Sequence, residues 1–283
     1  MIIHHTAYDK IDFSKYKRVF IFGCSFTNYH AWPTWANILS MEAKNAEYVY
    51  NLGETGGGNL FISSQVMAAS LKYKFDTNDL VLLMWSTHCR EDRYRETRWY
   101  LPGNIWTQNI ISEDFVKEWA CPKGYIVRDL ALMAFTKTFL SNSPADAVLL
   151  KSVEPTYDQK LFDGVGYEDV IGLYKDTIAD YPEPLYSFVN DGHGGWINGH
   201  EYYWPGVGSS TDAKKFQDYH PNPLMYMDFL TRIGFKLSEN TAQNVMQMND
   251  ELRGIDDFKS LRGWRNAVIQ RSVPCNIDNP HIF

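Results

Sequence analysis

The chain has 283 residues, a formal net charge of −7, and 45% hydrophobic and 22% charged residues, the balance of a globular protein with a sizeable core. The acidic balance and the lack of any basic run argue against a nucleic-acid partner, because such proteins cluster Lys and Arg against phosphates. No apolar run approaches the ~20 residues of a membrane span, so no membrane is expected as a partner either.

Aromatic residues make up 15% of the chain, with nine Trp and eighteen Tyr, enough flat surface to stack on sugar rings or to build interfaces. Cys24, Cys89, Cys121 and Cys275 form neither a CxxC pair nor a metal-ligand spacing, and the N-terminus lacks the apolar core of a signal peptide. A reduced, cytoplasmic protein is the expectation.

Residues 1–17 read as a polar lead-in without chemistry. Val19-Phe20-Ile21-Phe22 is then a strand buried on both faces, and Gly23 lets the chain bend sharply into Cys24-Ser25-Phe26-Thr27-Asn28. Ser25 has two readings, an N-cap of the next helix or a nucleophile at the carboxyl edge of a sheet, where ligands of open α/β sheets bind. A nucleophile needs a His base, an acid to orient it and N–H donors for the oxyanion.

Trp35, Ile38 and Leu39 have helical spacing, with the helix expected to end near Ala43. Tyr48 to Leu52 is a second strand. Gly53 to Asn59 follows, a loop in which Gly56, Gly57 and Gly58 allow backbone N–H groups to approach an anion, and Asn59 can cap a helix over about Leu60 to Leu71 and contact substrate. A flexible loop is the alternative; neither GxGxxG nor GxxxxGK[ST] is present. Asp79 to Trp85 is a third strand, ending in Ser86-Thr87-His88. Strands ending in polar or glycine-rich turns and alternating with helices predict a doubly wound parallel sheet.

From about 91 to 143 the periodicity weakens. The segment reads as an insertion, helical around Tyr125 to Leu140 and walling the site, or as a plain set of outer helices. Ala147 to Pro155 is a fourth strand and Leu185 to Val189 a fifth. Beyond it, residues 190–206 carry too many glycines for a core element and too many aromatics for an idle turn, which suggests a lid with Trp196, Tyr202, Tyr203 and Trp204 as substrate contacts. A metal site from Asp191, His193, His200 and Glu201 lacks HExxH spacing, and no metal is expected.

Asp218-Tyr219-His220-Pro221 places a carboxylate and an imidazole on one short loop before an apolar helix over Leu224 to Leu230. A His with a local carboxylate can be held in one tautomer, as a general base requires. The tail over about 234–283 reads as a helical extension, with Ser238 as cap and Val245, Met248 and Leu252 as its apolar stripe, and packing is its expected role.

Phe22-Gly23-Cys24-Ser25-Phe26-Thr27, Asn51-Leu52-Gly53-Glu54-Thr55-Gly56 and Asp218-Tyr219-His220-Pro221 together resemble three of the four signature blocks of the SGNH (GDSL-like) hydrolases, in the family's order. The resemblance implies a single domain of three-layer α/β/α fold with a mainly parallel five-stranded, flavodoxin-like sheet. It makes Ser25 the nucleophile, the N–H groups of Ser25 and Gly56 oxyanion donors, His220 the base and Asp218 its acid. The family's Asn block is replaced by Trp85-Ser86-Thr87-His88, so that Thr87 or His88 stands as the third oxyanion donor. Cys24 replaces the Asp of the GDS form, and Asp218 lies two rather than three residues before His220.

The expected activity is a cofactor-free serine esterase with a catalytic triad, removing a short acyl group, such as acetyl, from a carbohydrate or other small ester. The alternatives are a catalytically silent SGNH-like module, glycan-binding or virion-associated, and a flavodoxin-like mononucleotide binder. The latter lacks any basic residue near the first turn to pair with phosphate.

Overall fold

A computed structural model describes residues 1–105, 111–153, 168–190, 201–204, 214–217, 220–273 and 276–278. The sheet contains β1 (Arg18–Phe22), β2 (Tyr48–Asn51), β3 (Asp79–Trp85), β6 (Asp146–Lys151) and β9 (Asn276–Asp278). All of its pairings are parallel, in the order β6-β3-β1-β2-β9. Two antiparallel pairs stand apart from it, β4 (Arg93–Arg95) with β5 (Arg98–Tyr100), and β7 (Glu201–Trp204) with β8 (Lys214–Gln217).

Successive side chains of a strand face opposite sides of the sheet, and the two cores divide accordingly. Val19, Ile21, Leu80, Leu82 and Met84 face one layer, built by α1 (Trp35–Glu42), α7 (Leu185–Asn190), α8 (Pro223–Arg232) and α9 (Glu239–Leu252). Phe20, Phe22, Val81, Leu83 and Trp85 face the other, built by α2 (Asn59–Tyr73) and α4 (Pro122–Ser141). Register begins at Arg18, which pairs with Asp79 across β1 and β3 and donates to both of its carboxylate oxygens at 2.7 Å. The result is a three-layer α/β/α fold. From β1 the chain adds β2 on one side and β3 on the other, so the strand order reverses at the β1/β3 boundary, the crevice where open α/β sheets take ligands.

Two expectations change. Leu185 to Val189 is not the fifth strand; it belongs to α7, where Leu185 and Phe188, three apart, are buried among Phe229 and its neighbours. The fifth place in the sheet goes to β9 from the tail, on the β2 edge. Tyr125 to Leu140 is the crossover helix α4 between β3 and β6, with Ile126, Leu130, Met133 and Leu140 in the core. The excursion before it holds β4, β5 and α3 (Glu113–Trp119).

The remaining described helices are α5 (Glu168–Leu173), α6 (Lys175–Ile178) and α10 (Phe258–Ser272). Ser238 caps α9 by accepting from Thr241 N–H, and Val245, Met248 and Leu252 are buried. Among the described residues no helix is long and apolar enough to cross a membrane.

Candidate active site

Ser25 lies on a hydrogen-bonded turn, not on a helix. The N–H groups of Thr27 and Asn28 donate to Cys24 O at 2.8 and 3.0 Å, and none of these bonds uses the Ser25 N–H. Helix α1 begins only at Trp35. Its N-cap is Thr34, whose N–H donates to Asn37 Oδ1 at 3.0 Å, so the capping reading of Ser25 falls away.

The turn is braced from below. Thr27, fully buried, accepts at Oγ1 from Trp35 Nε1 at 3.2 Å. Its carbonyl accepts from Thr34 Oγ1 at 2.7 Å and from Asn51 Nδ2 at 3.2 Å. Gly23 is required because a Cβ there would collide with the Thr27 side chain. Ser25 itself is 6% exposed, a hydroxyl on a rigid support at the carboxyl end of β1.

The glycine loop is stitched to this turn. Glu54 N–H donates to Gly23 O at 3.1 Å, and Asn28 Nδ2 donates to Gly53 O at 3.0 Å. Gly56 has φ +84°, and a Cβ on it would run into the Leu101 carbonyl. Gly56→Ala should therefore destabilise the fold by about 2–4 kcal/mol, strain and backbone clash together. Gly172→Ala meets nothing within 4 Å and should be neutral or stabilising by up to about 1 kcal/mol. Urea titration of both variants checks this, and equal stabilities would remove the close approach from the account.

The amino end of α2 already holds an anion of the protein's own. Gly58 N–H donates to Asp92 Oδ1 at 2.8 Å and Phe61 N–H to Asp92 Oδ2 at 2.9 Å, which leaves this helix start no vacancy for a phosphate. Burial pushes the Asp92 carboxyl up to about 6, against these two donors and the nearby Arg128 and Arg90. Since that value lies above the unfolded one, the folded state holds the proton more tightly. The stability this contributes is present below about pH 4 and lost as pH rises through about 6. Compared with Asp92→Asn, the wild type should lose on the order of 3 kcal/mol between about pH 4 and pH 7. Urea midpoints of the pair across that range check it; a constant difference would contradict it.

At the end of β3 the side chains are mostly committed. Asn59, the first helical residue after its cap Gly58, is fully buried. Its Oδ1 accepts from Ser86 N–H at 2.8 Å, and its Nδ2 donates to Asp129 Oδ2 at 2.8 Å and to Ser86 O at 3.3 Å. It is a clasp between α2, β3 and α4, not the helix cap, and its amide is buried in contacts within the protein. His88 is buried with Nδ1 2.9 Å from Asp129 Oδ2, and Thr87 Oγ1 accepts from Arg90 Nε at 3.0 Å. By contrast, Ser86 Oγ is buried and makes no hydrogen bond. Nothing in its residue type announced it.

His220 stands against the turn that carries Ser25. Its ring stacks on Tyr29, centroids 3.9 Å apart at 15°, and lies 5.1 Å from the ring of Phe26, the residue after Ser25. Trp32 Nε1 donates to Pro221 O at 2.8 Å, pinning the loop. Asn222 then caps α8, accepting from Met225 N–H at 2.9 Å. Chain order separates Ser25 and His220 by most of the domain; the fold sets the His220 ring against Phe26 and Tyr29, one and four residues after Ser25.

Asp218, Trp196, Asp191, His193 and His200 lie outside the described residues. Glu201 and Trp204 are the first and last residues of β7, which runs beside α10.

No protein-family model matches the sequence, and no curated protein is significantly similar to it. Among solved structures the chain is similar to a member of the lipolytic protein G-D-S-L family from Veillonella parvula, with 13% identity over 76% of this chain and 96% of that one and a TM-score of 0.41. It is also similar to a protein assigned to the same family from Desulfitobacterium hafniense, with 13% identity over 77% and 99% of the two chains and a TM-score of 0.39.

Proposed function

We propose that the chain is a serine ester hydrolase of the SGNH type, acting through an acyl-enzyme on a short-chain ester of a carbohydrate or other small alcohol. The observation that carries this reading is the stacking of His220 on Tyr29 beside the Phe26 ring, which sets an imidazole against the Ser25 turn at the sheet's switch point. His220 takes the Ser25 Oγ proton as Oγ attacks the ester carbonyl, then delivers that proton to the departing alcohol. Water attacks the acyl-enzyme in turn, with His220 again as base, and releases the acid. The N–H groups of Ser25 and Gly56 receive the oxyanion, and Ser86 Oγ, buried without a hydrogen-bond partner, joins Thr87 and His88 as a candidate third donor. Asp218 orients His220. No step needs a cofactor.

The acetyl-carbohydrate preference is supported by the abundance of Trp and Tyr. One observation favours the rival, a silent glycan-binding or virion-associated module: no Asn stands at the end of β3, and His88 there is held through Nδ1 by Asp129. An assay over acetylated sugars and p-nitrophenyl esters of increasing chain length, run beside Ser25→Ala, separates the two. Turnover of short esters that vanishes in the variant supports the hydrolase. Sugar binding without turnover supports the module.

A further inference from the structure

A guanidinium group reaches the Ser25 turn with a second one near it, and among the described residues no acidic side chain pairs with either. Helix α10 docks through Phe258, Leu261 and Trp264 against Tyr29 and Trp32, and through Val268 and Ile269 against Met41 and Met248. Leu261, Arg265 and Val268 are spaced by four and three, which puts Arg265 on the inward stripe. Its Nη2 donates to Asn28 Oδ1 at 2.9 Å, three residues after Ser25. Nη1 reaches Asn266 Oδ1 at 3.4 Å, and Nε is buried without a hydrogen-bond partner.

Arg262, one turn earlier and exposed, is close enough to repel Arg265. Burial first, and then this neighbour, pull the Arg265 pKa down to about 10. Burial first, and then His220 and both arginines, pull the His30 pKa down to about 4, so the two arginines carry the positive charge of this patch.

Arg18 and Arg128, also partly buried, are each matched with a carboxylate, Asp79 and Asp129. Among the described residues no Asp or Glu forms an ion pair with Arg262 or Arg265. A buried guanidinium without counter-charge is unfavourable until an anion arrives, and its planar fork suits a carboxylate or phosphate.

We propose that Arg265 and Arg262 form an anion subsite beside Ser25, so that the ester cleaved there carries a carboxylate or phosphate on its alcohol portion. The ester half of this statement rests on the hydrolase reading; the anion half rests on α10.

The test compares three monoacetyl esters: of methyl glucoside, of methyl glucuronide and of glucose 6-phosphate. The wild type should favour one or both anionic esters in kcat/KM, and Arg265→Gln and Arg262→Gln should each cut that preference about tenfold, mainly through KM. Arg265→Lys should keep part of it. The glucuronide and phosphate arms separate the two sources of charge. Arg262→Gln, an exposed change, guards against misfolding, and Arg253→Gln should leave the preference as it is. No preference in the wild type, or a preference indifferent to both arginines, overturns the proposal.

Should no ester be turned over at all, the hydrolase reading falls separately. Titration with unacetylated methyl glucuronide, methyl glucoside and glucose 6-phosphate then reads the subsite. Binding of an anionic sugar that Arg265→Gln and Arg262→Gln abolish supports it, and equal binding of the charged and neutral sugars overturns it.

Discussion

Ser25→Ala is expected to lower kcat for acetyl ester hydrolysis by about 10³-fold or more with little change in KM, because removing a nucleophile takes away the covalent route and leaves only binding and oxyanion stabilisation. The fold should hardly notice. Ser25 caps no helix, and its turn is held by Thr27, Trp35, Asn51 and Gly53, so the unfolding midpoint should stay within about 0.5 kcal/mol of the wild type. Rapid quench with p-nitrophenyl acetate, followed by mass spectrometry of the peptide containing Ser25, gives the complementary readout. An acetyl group found on any other residue, or turnover surviving in the variant, would remove Ser25 from the mechanism.

His220→Gln should cost about 10³–10⁴-fold in kcat, since a serine hydroxyl without its base is a weak nucleophile at neutral pH. The ring is half-buried and stacked on Tyr29, so the stability loss should be no more than about 1 kcal/mol. His88→Gln supplies the contrast. It breaks the buried pair with Asp129 and should lower stability by about 1–3 kcal/mol while changing kcat far less. The reverse pattern would make His88 with Asp129 the acid–base pair. If Asp218 orients His220, Asp218→Asn should lose most of the activity with the fold intact; near-normal turnover in that variant would assign the orientation to another group.

Much of the frame was legible in the order of residues. Val19 to Phe22 and Asp79 to Trp85 are unbroken apolar runs, and a strand covered on both faces can hardly read otherwise. Their ends agree with β1 and β3. Ser238, three residues before Thr241, marked the start of α9 because a hydroxyl in that position meets an N–H that the helix leaves unpaired. Ser25, Gly56 and His220 were singled out in the same way, from short patterns whose geometry is local.

What the sequence left undecided depended on distant neighbours. Leu185 to Val189 has the β-favouring residues of a strand, yet Leu185 and Phe188 meet Phe229 of α8, and the packing of one face overrode local propensity. Asn59 looked like a cap or a substrate contact until Ser86 and Asp129 occupied its amide. The start of α2 looked open to an anion until Asp92, more than thirty residues on, filled it.

The first turn seemed to lack a basic partner because its arginine comes from the far end of the chain. Arg265 and Asn28 are 237 residues apart, and only the docking of α10 makes them neighbours. Residue type and short spacing thus determined which groups could do chemistry here, since strands, turns and caps are set by interactions within a few residues. Which groups are spent inside the protein and which remain for a ligand was decided by the tertiary structure, because hydrogen bonds and charges are satisfied by whatever the fold brings within reach.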